Sequence, residues 1–156
     1  MPTINIQKLE QFLADANKST YANKDAPKAV PTRLKSEDYH FEKENLVYHD
    51  TYFGGRDFIG GEIVYKEEVP IWGMNYYGYV LIPSVSEKGV YDFLRKALMQ
   101  KCIGIIPVRG PKNYETNEWR YTNTPEGAID RFTGKEEIYR DMELVYQADY
   151  HGGFIV

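Results

Sequence analysis

Apolar residues recur at helical spacing in two places along this chain and alternate with polar ones almost everywhere else. Ile6, Leu9, Phe12, Leu13 and Ala16 fall on one helical face, with Asn5 placed as the N-cap. Val90, Phe93, Leu94, Ala97 and Leu98 form a second stripe, and Ser84-Val85-Ser86-Glu87 before it reads as a capping box with Ser84 as the cap. Runs rich in Tyr, Val, Ile and Trp predict strands over Tyr39–Phe41, Leu46–Tyr52, Asp57–Tyr65 and Ile71–Ile82. A further set covers Tyr114–Tyr121, Arg131–Tyr139, Glu143–Tyr150 and a terminal Phe154–Val156. Ala22 to Glu37, with Pro27 and Pro31, is a long polar connection of the kind that is often functional.

The two sets of elements read as the same pattern twice. Tyr48, Thr51, Gly54, Phe58, Gly60, Glu62, Tyr65, Tyr76 and Gly78 align with Tyr121, Thr124, Gly127, Phe132, Gly134, Glu136, Tyr139, Tyr150 and Gly152 once one residue is inserted near Ile129. Pro31 and Arg33 align with Pro107 and Arg109, and Phe12-Leu13 with Phe93-Leu94. The expected fold is α+β: one domain over residues 1–156, built of two pseudo-symmetric helix-plus-antiparallel-meander repeats at about 5–83 and 84–156.

Strand alternation then assigns faces. Phe132, Gly134, Glu136 and Ile138 share one side of their strand, and Thr133, Lys135 and Glu137 the other, so the first set points inward. The same register puts Glu62 with Phe58, Gly60 and Val64, beside Trp72, Met74 and Tyr76 of the next strand; Tyr146, Ala148 and Tyr150 match them in the second unit. Each unit therefore sets a carboxylate among aromatic rings, where an isolated charge costs several kcal/mol. Partners occur in duplicate: Arg33 and Arg109, and the hydroxyls of Tyr48/Tyr121 or Tyr76/Tyr150. Two readings stand. Glu62 and Glu136 tie the sheet to those groups, or they line a pocket between aromatic walls that suits a hydrogen-bonding or cationic ligand.

Composition narrows the function. With 42% hydrophobic and 27% charged residues the chain is an ordinary globular one, but 14 tyrosines are many. A net charge of −4 argues against a general grip on nucleic acid. No leader and no long apolar run is present, which predicts no membrane association, and the single Cys102 fits a reducing, cytoplasmic setting. His40, His49 and His151 lack metal-ligand spacing, so neither a metal nor a cofactor is expected. No nucleophile motif or phosphate-binding loop occurs, and no catalytic residue can be named. Asp50 and Asn123 share the face of Tyr48 and Tyr121, and each precedes a threonine, which suggests an Asx-turn.

The runs Tyr48-His49-Asp50-Thr51-Tyr52-Phe53-Gly54-Gly55, Phe58-Ile59-Gly60-Gly61-Glu62 and Trp72-Gly73-Met74-Asn75-Tyr76-Tyr77-Gly78 resemble an uncharacterised bacterial domain of unknown function. The resemblance continues through Arg109-Gly110-Pro111, Phe132-Thr133-Gly134-Lys135-Glu136 and Tyr150-His151-Gly152-Gly153. It implies a domain that occurs alone or behind a helix-turn-helix segment, and carries no chemistry with it. The architecture is also similar to gyrase-inhibitor-like effector-binding domains, whose acidic, aromatic cleft takes bulky and often cationic compounds. The leading expectation is a small-molecule-binding module, a sensor or sequestering protein, with a cleft formed by Glu62, Glu136, Trp72, Tyr76, Tyr150, Tyr48, Tyr121, Arg33 and Arg109. The alternatives are a protein-interaction or inhibitor domain, and a hydrolase with a glutamate as general base.

Overall fold

A computed structural model describes residues 4–100 and 109–156, so Cys102 and the connection before Arg109 lie outside the described residues. The chain forms α1 (Ile6–Ser19), then the strands β1 (Glu37–Lys43), β2 (Leu46–Gly54), β3 (Asp57–Lys66) and β4 (Val69–Val80). After α2 (Glu87–Leu98) come β5 (Asn113–Thr116), β6 (Trp119–Ala128), β7 (Arg131–Arg140) and β8 (Glu143–Phe154). All eight strands make one antiparallel sheet in the order β1-β2-β3-β4-β8-β7-β6-β5. No described helix is long and apolar enough to cross a membrane.

This corrects the α+β expectation. The protein is mainly β, with two short helices on one continuous sheet, rather than two helix-plus-meander units. β4 starts two residues earlier than expected and β8 runs on past Tyr150 to Phe154, giving each 12 residues, and these two strands hydrogen-bond along Trp72↔Phe154 to Val80↔Tyr146. The apolar clusters also cross the seam. The one beneath α1 joins Leu9, Phe12, Tyr48 and Trp72 to Ile129, Phe132 and Tyr150, and the one beneath α2 joins Val90, Phe93 and Tyr121 to Val80 and Ala22. The expected single strand Tyr114–Tyr121 is a hairpin, β5–β6, because Asn117 takes a positive φ of 48° at its tip.

Both helices lie over one face. Asn5 caps α1 by accepting from the Lys8 amide at 3.1 Å. Ser86, not Ser84, caps α2, accepting from the Gly89 amide at 3.5 Å. The C-terminal ends of the helices meet where Asn17 Nδ2 donates to the Leu98 carbonyl at 2.9 Å. Beneath them, bulges between Val64/Tyr65 and Ile138/Tyr139 insert Ile71 and Val145 as extra residues. Strict alternation breaks there, and Ile71-Trp72 and Val145-Tyr146 are buried as neighbouring pairs.

Two hairpin tips place non-glycine residues at positive φ in succession: Glu67-Glu68 between β3 and β4, and Asp141-Met142 between β7 and β8. Such tips favour Asn-Gly, because side chains with a Cβ resist this backbone region. Met142 is 94% exposed at φ 69°, so its side chain contributes little packing to offset the strain. Met142→Gly should stabilise the protein by about 0.5–1 kcal/mol, read as a rise of roughly 1–4 °C in melting temperature. An unchanged or lower melting point would show that this tip is unstrained.

Candidate functional site

The helix-covered face of the sheet carries a buried polar layer, built from strand phase. On β2, Leu46, Tyr48 and Asp50 alternate inward, and on β6 Tyr121 and Asn123 do the same. Cross-strand register sets Asp50 opposite Glu62 and Asn123 opposite Glu136. Glu62 is 4% exposed and Glu136 0%, while Glu67 and Glu68 lie in solvent and Glu137 is half-buried.

Two glycines let tyrosines span this layer. Tyr76 faces Gly60 across β3–β4, and its ring lies over that glycine, so the hydroxyl reaches β2 beyond and donates to Asp50 Oδ1 at 2.6 Å. Tyr150 crosses Gly134 in the same way and donates to Asn123 Oδ1 at 2.7 Å. A Cβ at either glycine would run into the tyrosine.

The two carboxylates on the third strand of each meander are served differently. Glu136 is fully satisfied: Arg109 Nη2 donates to Oε1, and the Tyr121 hydroxyl donates to Oε2. The Gly110 amide donates to that hydroxyl at 3.1 Å, and Asn123 Nδ2 donates to the Gly110 carbonyl at 2.9 Å, which fixes the Arg109-Gly110 corner on the sheet. Glu62 has the Tyr48 hydroxyl beside it, but its Oε2 is buried without a hydrogen-bond partner among the described residues.

Glu62 faces a cavity of about 150 Å³. Tyr48, Asp50, Glu62 and Tyr76 form its sheet side; Asn17, Leu94, Arg95 and Leu98 close it from the helices, with Arg109 at its inner end. The exposed Gly54-Gly55 turn lies at its rim, beside Tyr21, Tyr52, Phe58 and Tyr91. Arg95 is held there, its guanidinium 4.4 Å from the Tyr21 ring centroid and its Nε donating to the Tyr21 carbonyl at 3.1 Å. An engineered cavity of such a volume admits a molecule the size of benzene, so the bulky ligand suggested by the effector-binding resemblance does not fit this one.

Burial sets the protonation of the pair. It pushes the Asp50 carboxyl up from 3.8 to about 7, against the Tyr76 hydrogen bond and the Arg109 charge. Glu62 is held well above the usual carboxylate range by burial and by Asp50 beside it, with Arg109 again opposing. Arg109 loses solvation on burial, but Glu136 and its other neighbours keep its guanidinium protonated. Three buried carboxyls thus face one buried guanidinium, and that guanidinium is engaged by Glu136.

The expected site residues divide accordingly. Tyr48, Glu62, Tyr76 and Arg109 meet at the cavity, with Glu136 bonded to Arg109 just beyond, Tyr121 bonded to Glu136, and Tyr150 on Asn123. Trp72 is displaced from this set: it stacks on Phe132 at 5.8 Å in the apolar cluster and donates Nε1–H to the Ile129 carbonyl at 2.9 Å. Arg33 pairs with neither glutamate. It is exposed on the opposite side of the sheet, 5.1 Å over the Phe53 ring. Asp50 lies in mid-strand rather than at a turn and lines the cavity, and its phase two residues after Tyr48 is the signal in the sequence. Tyr21 and Arg95 gave none, because only the meeting of helix ends brings them to the rim.

The helix-free face forms a wider open groove of about 1590 Å³, apolar along Val47, Ile59, Ile63 and Tyr77. At one side of it Asp38 accepts from Thr32, Ser36 and Thr51 and contacts His49 Nε2 at 2.6 Å, which holds its carboxyl well below the usual range despite burial. Among the described residues no three His, Cys, Asp or Glu side chains are grouped to hold a metal ion.

Residues 50–155 match the model of a domain of unknown function, DUF5680. The chain belongs to that family. No curated protein and no solved structure matches it. The family segment includes Asp50, Glu62, Tyr76, Arg109, Tyr121, Asn123, Glu136 and Tyr150, whereas α1 and Tyr48 precede it.

Two outcomes follow from this layer. Gly60→Ala or Gly134→Ala should cost about 1–3 kcal/mol in urea unfolding, as the tyrosine is pushed off its partner and, at Gly60, the Cβ also meets the Thr51 carbonyl and Tyr52; a neutral result at Gly134 would mean the ring can tilt away, and at Gly60 that the neighbouring strand shifts as well. For pH, a carboxyl whose folded value is raised contributes stability that is fully present below its unfolded value of 3.8 and is lost as pH climbs to about 7 for Asp50. Asp38 acts oppositely, its contribution fading only below 3.8. Wild-type stability should therefore decline between pH 4 and 7, by at most about 4 kcal/mol from Asp50, and Asp50→Asn should flatten that slope. A slope unchanged in Asp50→Asn would place the titration elsewhere.

Proposed function

We propose that this protein is a binding module, a sensor or sequestering protein, that takes a small organic cation into the cavity over Asp50 and Glu62. One observation carries the reading: Glu62 is 4% exposed, its Oε2 has no partner, and it lines a cavity of about 150 Å³. A buried carboxyl left this way is expensive, whereas a ligand that brings positive charge and N–H donors satisfies it. Aromatic walls from Tyr21, Tyr52, Phe58 and Tyr91 add cation–π contact. The volume favours a compact molecule over a bulky one, and the single cysteine suits a cytoplasmic setting.

The reading is tested by thermal shift of the full chain with a panel of compact amines and guanidines, in wild type, Glu62→Gln and Asp50→Asn. A ligand at a hundred times its dissociation constant should raise the melting point of wild type by roughly 5–10 °C, and much less in either variant. Equal shifts in all three proteins, or none in any, would refute it.

A second reading, general acid–base chemistry on the bound molecule, is favoured by Asp50 and Glu62 standing opposite each other in the cavity, with burial raising both carboxyls, Asp50 to about 7. Conversion of a panel compound by wild type, lost in both variants, would select it over simple binding.

A further inference from the structure

The second meander already holds the complex that the first lacks. There the Arg109 guanidinium sits on Glu136, the Tyr121 hydroxyl donates to the other oxygen of that carboxylate, and the guanidinium carbon lies 5.8 Å from the Tyr150 ring centroid. The first meander presents the same groups in the same register. Tyr48 faces Val64 as Tyr121 faces Ile138, Asp50 faces Glu62 as Asn123 faces Glu136, and Tyr76 reaches Asp50 as Tyr150 reaches Asn123. Two differences separate them. Among the described residues no arginine side chain seats on Glu62, since Arg33 lies across the sheet over Phe53, and the neutral Asn123 is replaced by the acidic Asp50. Where the second meander has a guanidinium, the first has the cavity and one more carboxyl.

Resting on the binding reading above, we propose that the ligand group is a guanidinium, seated on the Glu62 carboxyl that Tyr48 holds, as Arg109 is seated on the Glu136 carboxylate that Tyr121 holds. Its planar fork of five N–H donors suits a carboxylate with a second acceptor beside it, which a compact ammonium matches less well. Its flat, weakly hydrated face stacks on rings, and the Tyr76 ring occupies the place that Tyr150 holds under Arg109. Asp50 supplies the acceptor on the side where Asn123 is already consumed by Tyr150 and Gly110. A benzene-sized volume holds the guanidinium with a short alkyl tail pointing to the Gly54-Gly55 rim.

Titration calorimetry on the full chain separates this from the broader reading, using three probes of six heavy atoms: ethylguanidine, n-pentylamine and the uncharged N-ethylurea. Ethylguanidine should bind at least tenfold more tightly than n-pentylamine, and N-ethylurea should give no heat. Tyr48→Phe should weaken ethylguanidine several-fold and Glu62→Gln abolish it. Asp50→Asn, whose side chain the second meander already accommodates at Asn123, should also weaken it and serves if Glu62→Gln melts well below wild type. Equal or tighter binding of n-pentylamine, still lost in Glu62→Gln, would overturn the guanidinium assignment and leave a cation site. No binding of either cation, or binding untouched by both carboxyl variants, would overturn the cation site as well.

Discussion

One guanidinium among three buried carboxyls is the constraint on which this structure turns. Arg109 and Tyr121 occupy both oxygens of Glu136, and what remains, Asp50 with Glu62, has hydroxyl partners only among the described residues. In an apolar interior that imbalance is relieved by protons, which is why both carboxyls are raised, or by a cation from outside. Much of the surrounding architecture serves this layer. Gly60 and Gly134 are glycines so that Tyr76 and Tyr150 can cross a strand and reach the next, and the Gly110 backbone is pinned between Tyr121 and Asn123 so that its neighbour Arg109 enters at a fixed angle.

The cavity exists because the two meanders are finished differently at matching positions. The chain before β5 brings an arginine inward, whereas the chain before β1 sends Arg33 outward and lays Thr32 and Ser36 on Asp38. Arg109 thus closes one half from within. The other half is roofed by the ends of α1 and α2, where Asn17 and Leu98 join, and these contacts leave space above Glu62 rather than filling it.

The faces of the strands were legible in the sequence because a period of two admits only one inward set around Phe132 and Ile138, and this placed Glu62 and Glu136 in the interior. The fold class was not. Two short helical stripes drew attention from strands whose alternation ran on through Trp119–Ala128, and nothing local announces that β4 and β8 will zip the meanders into one sheet. The bulges at Ile71 and Val145 break the alternation and blur the strand starts. Arg33 misled because an aligned arginine says nothing about which way its loop turns. Alternation puts Asp50 on the inward face, but a single sequence shows its neighbour threonine and not the cross-strand Glu62 opposite it, so only a local role is legible.

The difference between Asp50 and Asn123 bears on whether the polar layer is scaffolding or site. An asparagine satisfies the crossing tyrosine and also donates to a carbonyl, as Asn123 does on Gly110, so a layer selected for stability alone has a better residue available at position 50. Aspartate accepts the same tyrosine hydrogen bond, donates nothing when ionised, and when ionised adds charge beside the buried Glu62 carboxyl. Burying that charge without a countercharge costs stability that the matching position shows to be avoidable. Protonation lowers that cost, and a bound cation would offset it; on the binding reading proposed above, the Glu62 oxygen without a partner among the described residues is where the contact would be made.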